Sequence, residues 1–145
     1  MDVHTRSQRR RNMAAIKHKN TKPELVVRRL LHRQGYRYRL HVNVCGARPD
    51  VVFRRRRQII FVHGCFWHMH ECRYGRVQPK TNGAFWKKKR EANVKRDDRQ
   101  LARLAAEGWH ALVVWECETR DAAKLQERLV RFLENDDPKD QPAGT

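Results

Sequence analysis

No apolar run in this chain approaches the ~20 residues that a membrane-spanning helix needs. A transmembrane role is therefore not expected. The first eleven residues carry charge with no apolar stretch behind them, so they do not read as a signal peptide. The expected compartment is the cytoplasm, in association with the nucleoid. A long amphipathic basic helix and a lipidation motif are both missing, which argues against an anionic membrane surface as partner. There is no internal repeat, no long linker and no recognised RNA-binding module. Acidic residues are scarce: 16 Asp and Glu stand against 33 Lys and Arg, a net charge of +17 and a pI near 10.7. Such an excess repels itself in the folded state, and nucleic acid is the usual reason to keep it. Cysteine is also scarce, with one each at 45, 65, 72 and 117. In a reducing compartment that set favours metal binding over disulfides.

What is present fits one compact domain in 145 residues, 39% of them hydrophobic. Residues 1–20 are polar and basic around a short apolar patch at Met13, Ala14, Ala15 and Ile16, and read as a DNA-contacting arm. Thr21-Lys22-Pro23-Glu24 is a capping box with proline in the first turn, so a helix starts there and Gly35 ends it. Tyr36 to His41 alternates like a strand. Asp50 to Phe53 and Ile59 to Val62 form a hairpin around a charged turn, and the second run has no polar alternation, which predicts a central strand buried on both faces. Periodicity then vanishes from His63 to about Thr81. A long helix follows over Ala84 to Glu107, then a strand over Trp109 to Trp115, then a helix over Asp121 to Glu134. The polar tail at 136–145 is expected to be disordered. This order predicts an α/β domain over 21–135, a mixed sheet flanked by helices.

The densest chemistry lies in Cys65-Phe66-Trp67-His68-Met69-His70-Glu71-Cys72. Zinc takes four thiolate or imidazole ligands in a tetrahedron. Cys117 follows a strand that would lie beside the central one, which brings it to this loop. Cys65, His70, Cys72 and Cys117 then close a structural site; the alternative replaces Cys117 by His68. Cys45 reads as a small buried hydrophobe.

A hydrolytic site needs a carboxylate to hold a divalent cation at the scissile phosphate. Asp50 stands at the edge of an apolar strand pair, where a carboxylate needs a cation or a partner. His68, if it is not a zinc ligand, is a candidate general base, and His63 closes the central strand. Asp97 lies near the apolar face of the long helix, with His63 as a candidate partner and Arg96 or Arg99 as the alternative. The capping box by itself accounts for Glu24. Phe66, Trp67 and Trp86 are candidate wedges into a base step, whereas Phe85 reads as core. Lys87, Lys88, Lys89 and Arg90, with Arg9, Arg10 and Arg11, are candidate phosphate contacts.

Longer blocks sharpen this. Val62-His63-Gly64-Cys65-Phe66-Trp67-His68 with His70 and Cys72, and Val114-Trp115-Glu116-Cys117, resemble the very-short-patch-repair mismatch endonucleases. Arg48-Pro49-Asp50, Phe85-Trp86, Asn93-Val94 and Arg96-Asp97 match as well, and the resemblance spans about residues 5 to 134. It implies a restriction-endonuclease-like fold and a strand-specific nick on the 5′ side of the thymine in a T:G mismatch left by deaminated 5-methylcytosine. It implies magnesium on Asp50 and the Val62 carbonyl, His68 as general base, and zinc on Cys65, His70, Cys72 and Cys117. It implies Phe66, Trp67 and Trp86 in the DNA with Met13 opposite, and Glu24, His63 and Asp97 in support. The family carries Thr where this chain has Val62, and histidines in place of Met69 and Glu71. The expected partners are mismatched double-stranded DNA and other mismatch-repair factors, with the protein itself a monomer. Two rivals stand beside this: a zinc-stabilised DNA-binding module without chemistry, and an endonuclease for another mismatch or DNA structure.

Overall fold

The computed structural model describes residues 21–134. The arm at 1–20, with Met13, and the tail at 136–145 lie outside the described residues. Helix α1 runs over Lys22–Arg33, capped by Thr21, whose hydroxyl accepts the Glu24 N–H at 3.4 Å. Strand β1 is only Arg39–Leu40, shorter than the alternation at 36–41 suggests. Left-handed backbone ends it: His41 has φ 54, and the following turn holds Cys45 and Gly46 at φ 51 and 82 between the paired Val44 and Ala47. Two successive positive φ values are the signature of a tight I′ turn. Cys45 is therefore not fully buried as expected: the turn leaves it half-buried, packed on the core edge.

Strands β2 (Val51–Phe53), β3 (Gln58–His63) and β4 (His110–Trp115) complete a four-stranded sheet in the order β1-β2-β3-β4. β1 to β3 pair antiparallel, and β3 pairs parallel with β4, so the sheet is mixed as expected. Helix α2 (Gly83–Ala106) makes the crossover that a parallel pair requires. A 3-10 helix at Glu116–Arg120, not foreseen from the sequence, leads into α3 (Ala122–Glu134).

The sheet is buried on both faces, which explains why β3 lacks alternation. Val51, Phe53, Ile60 and Val114 pack under α1 and α3. Val52, Ile59, Phe61 and Val113 pack under Leu104 of α2. The arginine turn between β2 and β3 caps helix ends: Arg56 Nη1 donates to Leu133 O at 2.9 Å, and Arg57 Nη2 to Glu107 O at 3.0 Å. Cations there complement the negative ends of the helix dipoles. Among the described residues no helix is long and apolar enough to cross a membrane.

Candidate functional site

The sequence candidates gather at one end of the sheet, where β3 finishes with Val62 and His63. Asp50 lies just before β2. Its Oδ2 accepts the Val62 N–H at 2.7 Å, while its own N–H donates to Ile60 O at 3.1 Å. The residue is thus pinned to the central strand from both sides. Glu24 comes from the first turn of α1, and its side chain is only 1% exposed. Capping does not account for it: its Oε1 stands 2.9 Å from His41 Nε2, and Glu24, His41 and Asp50 present donor atoms within 4.8 Å of one another. Burial pushes the Asp50 carboxyl up to about 7, the Glu24 charge adds to that, and the Val62 N–H opposes it. Two buried carboxylates beside an imidazole are a donor set that a divalent cation fits, because it removes their mutual repulsion.

His63, one residue past Val62, faces a second cluster. Its ring stacks on His68 with centroids 3.9 Å apart and planes 4° apart. His68 Nδ1 donates to Asp97 Oδ2, and His63 Nδ1 lies 4.0 Å from the same oxygen. An ionised carboxylate only accepts, so the proton belongs on Nδ1 and His68 Nε2 is left as an acceptor. Burial lowers His63 to about 4, the neighbouring His68 and Arg96 charges add to this, and Asp97 opposes it. A cleft of about 370 Å³ opens on these residues, bounded by Trp115 and Val94. Asp97 therefore partners His68 foremost, with His63 behind it. Arg96 and Arg99 are exposed.

The third cluster joins Cys65, His70, Cys72 and Cys117, with donor atoms within 4.8 Å. Cys117 arrives on the 3-10 helix after β4, and its N–H donates to Cys65 Sγ at 3.3 Å. Its Sγ stands 3.6 Å from His70 Nδ1. A tetrahedral zinc with Zn–S near 2.3 Å and Zn–N near 2.0 Å separates the two donors by about 3.6 Å, so the spacing fits. Burial pushes the Cys65 thiol up to about 12, and a cation offsets that by holding it as thiolate. His68 is absent from this cluster; it lies with Asp97 instead. Trp115 stacks on the His70 ring at 4.1 Å and orients it.

Phe66, Trp67 and Trp86 form an edge-to-face aromatic group, with Trp67 5.3 Å from Phe66 and 5.4 Å from Trp86. Phe85 is not core: it is 59% exposed and leans on Trp86 at 5.2 Å. It lies at the start of α2, on a turn the sheet does not cover. Lys89 Nζ sits 5.9 Å from the centroids of both indoles.

Arg90 departs from its expected phosphate role. It is 3% exposed, and its guanidinium donates to Phe66 O at 2.6 Å, to Val77 O at 2.9 Å and to Gly75 O, while lying 4.2 Å over the Phe66 ring. One side chain thus satisfies three carbonyls of a loop with no regular structure of its own. Gly75 is held just as tightly: a Cβ there would lie 1.9 Å from His70 O. Arg90→Ala is expected to lower stability by about 3–5 kcal/mol, because buried acceptors are left unmet. Urea unfolding measures it, with Lys88→Ala as an exposed control that shifts little. An Arg90→Ala variant as stable as the parent would refute the clamp. Helical periodicity placed Arg90 in a basic run and carried no sign of its burial, and His41 was masked by its place at the end of a strand-like alternation.

Known proteins similar to this chain bear on its family and its fold. The family model for DNA mismatch endonuclease Vsr matches residues 1–74. The type II nicking enzyme V.XorIIP of Xanthomonas oryzae pv. oryzae is 51% identical over 126 residues, 87% of this chain and 92% of the relative. The DNA mismatch endonuclease Vsr of Escherichia coli K12 is 42% identical over 134 residues, covering 92% and 85%. Among solved structures, the catalytic domain of a homing endonuclease superposes with a TM-score of 0.56 at 22% identity, over 78% of this chain and 94% of that domain, which supports the restriction-endonuclease-like fold. A mixed sheet flanked by helices, a cysteine-rich candidate metal centre and relatives of this similarity lead to one conclusion: the chain is a DNA endonuclease of the Vsr mismatch-endonuclease family.

Proposed function

We propose that this protein nicks double-stranded DNA on the 5′ side of the thymine in a T:G mismatch, with magnesium at Asp50 and structural zinc at Cys65, His70, Cys72 and Cys117. The observation that carries the chemistry is a junction of two clusters at consecutive residues. Val62 holds Asp50 through its N–H, and His63 stacks on the His68 that donates to Asp97.

A bound divalent cation neutralises charge on the scissile phosphate. Asp50 would hold it, with the Val62 carbonyl and Glu24 as further donors. Asp97 fixes the His68 ring and stabilises it once protonated. His68 Nε2 would take the proton from the attacking water as the new P–O bond forms and the bridging bond breaks, the departing oxygen taking a proton from solvent. His63, kept neutral, packs the base in place without adding charge. The half-buried aromatic trio offers a wedge; unstacking a base step costs about a few kcal/mol, and least where pairing is already weak. Met13 and the arm at 1–20 would close on the DNA from the opposite side, and the net charge of +17 draws the duplex in. The enzyme works as a monomer in the cytoplasm near the nucleoid, with mismatch-repair factors as partners.

Labelled duplexes with one T:G pair or the matched T:A pair, incubated with protein and magnesium, test this. A single nick beside the mismatched thymine, absent from T:A, is expected. His68→Ala is expected to slow nicking by about 10²–10⁴-fold while keeping affinity for the duplex. Equal nicking of both duplexes would overturn the mismatch specificity, and binding without nicking across varied flanks would sink the catalytic reading.

A further inference from the structure

We infer that His41 is a third donor to the divalent cation at Asp50 and Glu24, making a site that takes manganese(II) ahead of magnesium. The inference rests on the reading of Asp50 as a cation ligand. His41 has φ 54, in the left-handed region, where side chains other than glycine are uncommon and are kept by surroundings that impose them. That conformation stops β1 just where the chain passes the first turn of α1. The ring is 21% exposed, yet its Nε2 atom is buried and stands 2.9 Å from Glu24 Oε1. Among the described residues Nε2 makes no properly angled hydrogen bond.

The spacing has a direct reading in coordination chemistry. Neighbouring donors around a small octahedral cation, each about 2.1 Å from it, stand about 3 Å apart. The Glu24–His41 separation matches such an edge, and the Asp50 donor lies within 4.8 Å of both. Oxygen donors suit magnesium, calcium and manganese alike, whereas an imidazole nitrogen favours first-row transition ions over magnesium, and manganese is the transition ion that also accepts an oxygen-rich site. The three residues come from three separate elements: the first turn of α1, the end of β1 and the entry to β2. Chain neighbours do not explain their meeting.

Manganese(II) titration of the protein, purified with its thiolate-site metal and kept free of chelator, tests this. Affinity is read by the electron paramagnetic resonance of free ion, and ligation by pulsed measurement of nitrogen modulation on bound ion. The parent is expected to show imidazole nitrogen on manganese. His41→Gln keeps a polar side chain of similar reach. It is expected to lose that signal, to weaken manganese about tenfold, and to change magnesium affinity much less. A His41→Gln variant that retains the nitrogen signal and the affinity would overturn the inference and leave the Asp50 reading standing. Asp50→Asn separates the two: if manganese binds it as in the parent, the ion sits elsewhere and both readings fall. A melting curve unchanged in His41→Gln is required before affinities are compared; a collapsed fold would instead show His41 to be structural and overturn the assignment.

Discussion

Stripping the metal from Cys65, His70, Cys72 and Cys117 is expected to undo the irregular segment between β3 and α2 and to abolish nicking with it. The segment has little else to hold it. From Gly64 to Asn82 it contains no helix or strand, and of its residues only Cys65 and Gly75 are buried. Its anchors are the four donors, the Arg90 clamp, the Asn93 Nδ2 bond to Trp67 O at 3.1 Å, the His68 bond to Asp97, the Arg120 bond to Tyr74 and the stacking of His68 and His70 on His63 and Trp115. Structural zinc in small domains contributes about 10–16 kcal/mol of apparent binding energy, which doubles as folding energy. Replacing one ligand by Cys117→Ser forfeits part of it. A loss of about 4 kcal/mol would lower Tm by about 10–15 °C in a domain of this size. The functional consequence follows from chain order, since Phe66, Trp67 and His68 all lie between the ligands Cys65 and His70. Freeing those four donors would free the proposed wedge and the proposed base together. The check is calorimetry with colorimetric metal release: one equivalent of zinc per chain, a fall in Tm on its loss, and no comparable fall for Cys45→Ser, whose thiol lies outside the cluster. A stripped protein that melts like the parent would show the thiols to be packing alone.

The legible part of this molecule was the part with repeating chemistry. Uninterrupted apolar residues at Ile59 to Val62 announced a strand covered on both faces, and Thr21 with Pro23 announced the start of α1. The thiol–imidazole cluster was legible because Cys65, His70 and Cys72 crowd one segment, whereas Cys117 and His68 stayed alternatives for the fourth place until the family resemblance chose Cys117. What escaped was set by tertiary contact. Glu24 has a sufficient local explanation as a capping residue, so its turn toward His41 and Asp50 carried no local sign. Arg90 is the fourth of four consecutive basic residues, and only the helix phase relative to the cysteine-rich loop makes it the buried one. Phe85 erred in the opposite direction: its apolarity suggested core, but the sheet ends before reaching it. His41 ended an alternating run that a left-handed residue cut short. For Glu24, Arg90 and His41 the partner that decided the role came from another element of the fold.

Asp50→Asn is expected to reduce nicking by at least ~10³-fold while stabilising the magnesium-free protein near pH 8. The first effect follows from losing the carboxylate proposed to hold the cation, which is worth several kcal/mol at a developing phosphate charge, about tenfold in rate per 1.4 kcal/mol. The second follows from proton linkage. Asp50 titrates at about 7 in the folded chain against an ordinary 3.8. The folded state therefore binds this proton more tightly than the unfolded state. Its stabilising effect is complete below about pH 4 and is lost as pH rises through 7. Above 7 the parent must hold Asp50 ionised beside the Glu24 side chain. Asparagine keeps the acceptor oxygen for the Val62 N–H without the charge. His63 runs the other way: lowered to about 4 from 6.5, it opposes folding in acid, and its penalty disappears as pH rises through 6.5. The two slopes offset each other in the parent between about pH 4 and 6.5, and the variant uncovers the His63 slope alone. Melting curves at pH 5 and pH 8, with and without magnesium, separate these terms. Without magnesium the variant should gain on the parent as pH rises. With excess magnesium the parent should recover by mass action and the variant should not. A parent whose Tm ignores magnesium at pH 8, or a variant that nicks like the parent, would remove Asp50 from the chemistry; a variant that gains nothing at pH 8 would mean that its carboxylate is not held protonated by burial.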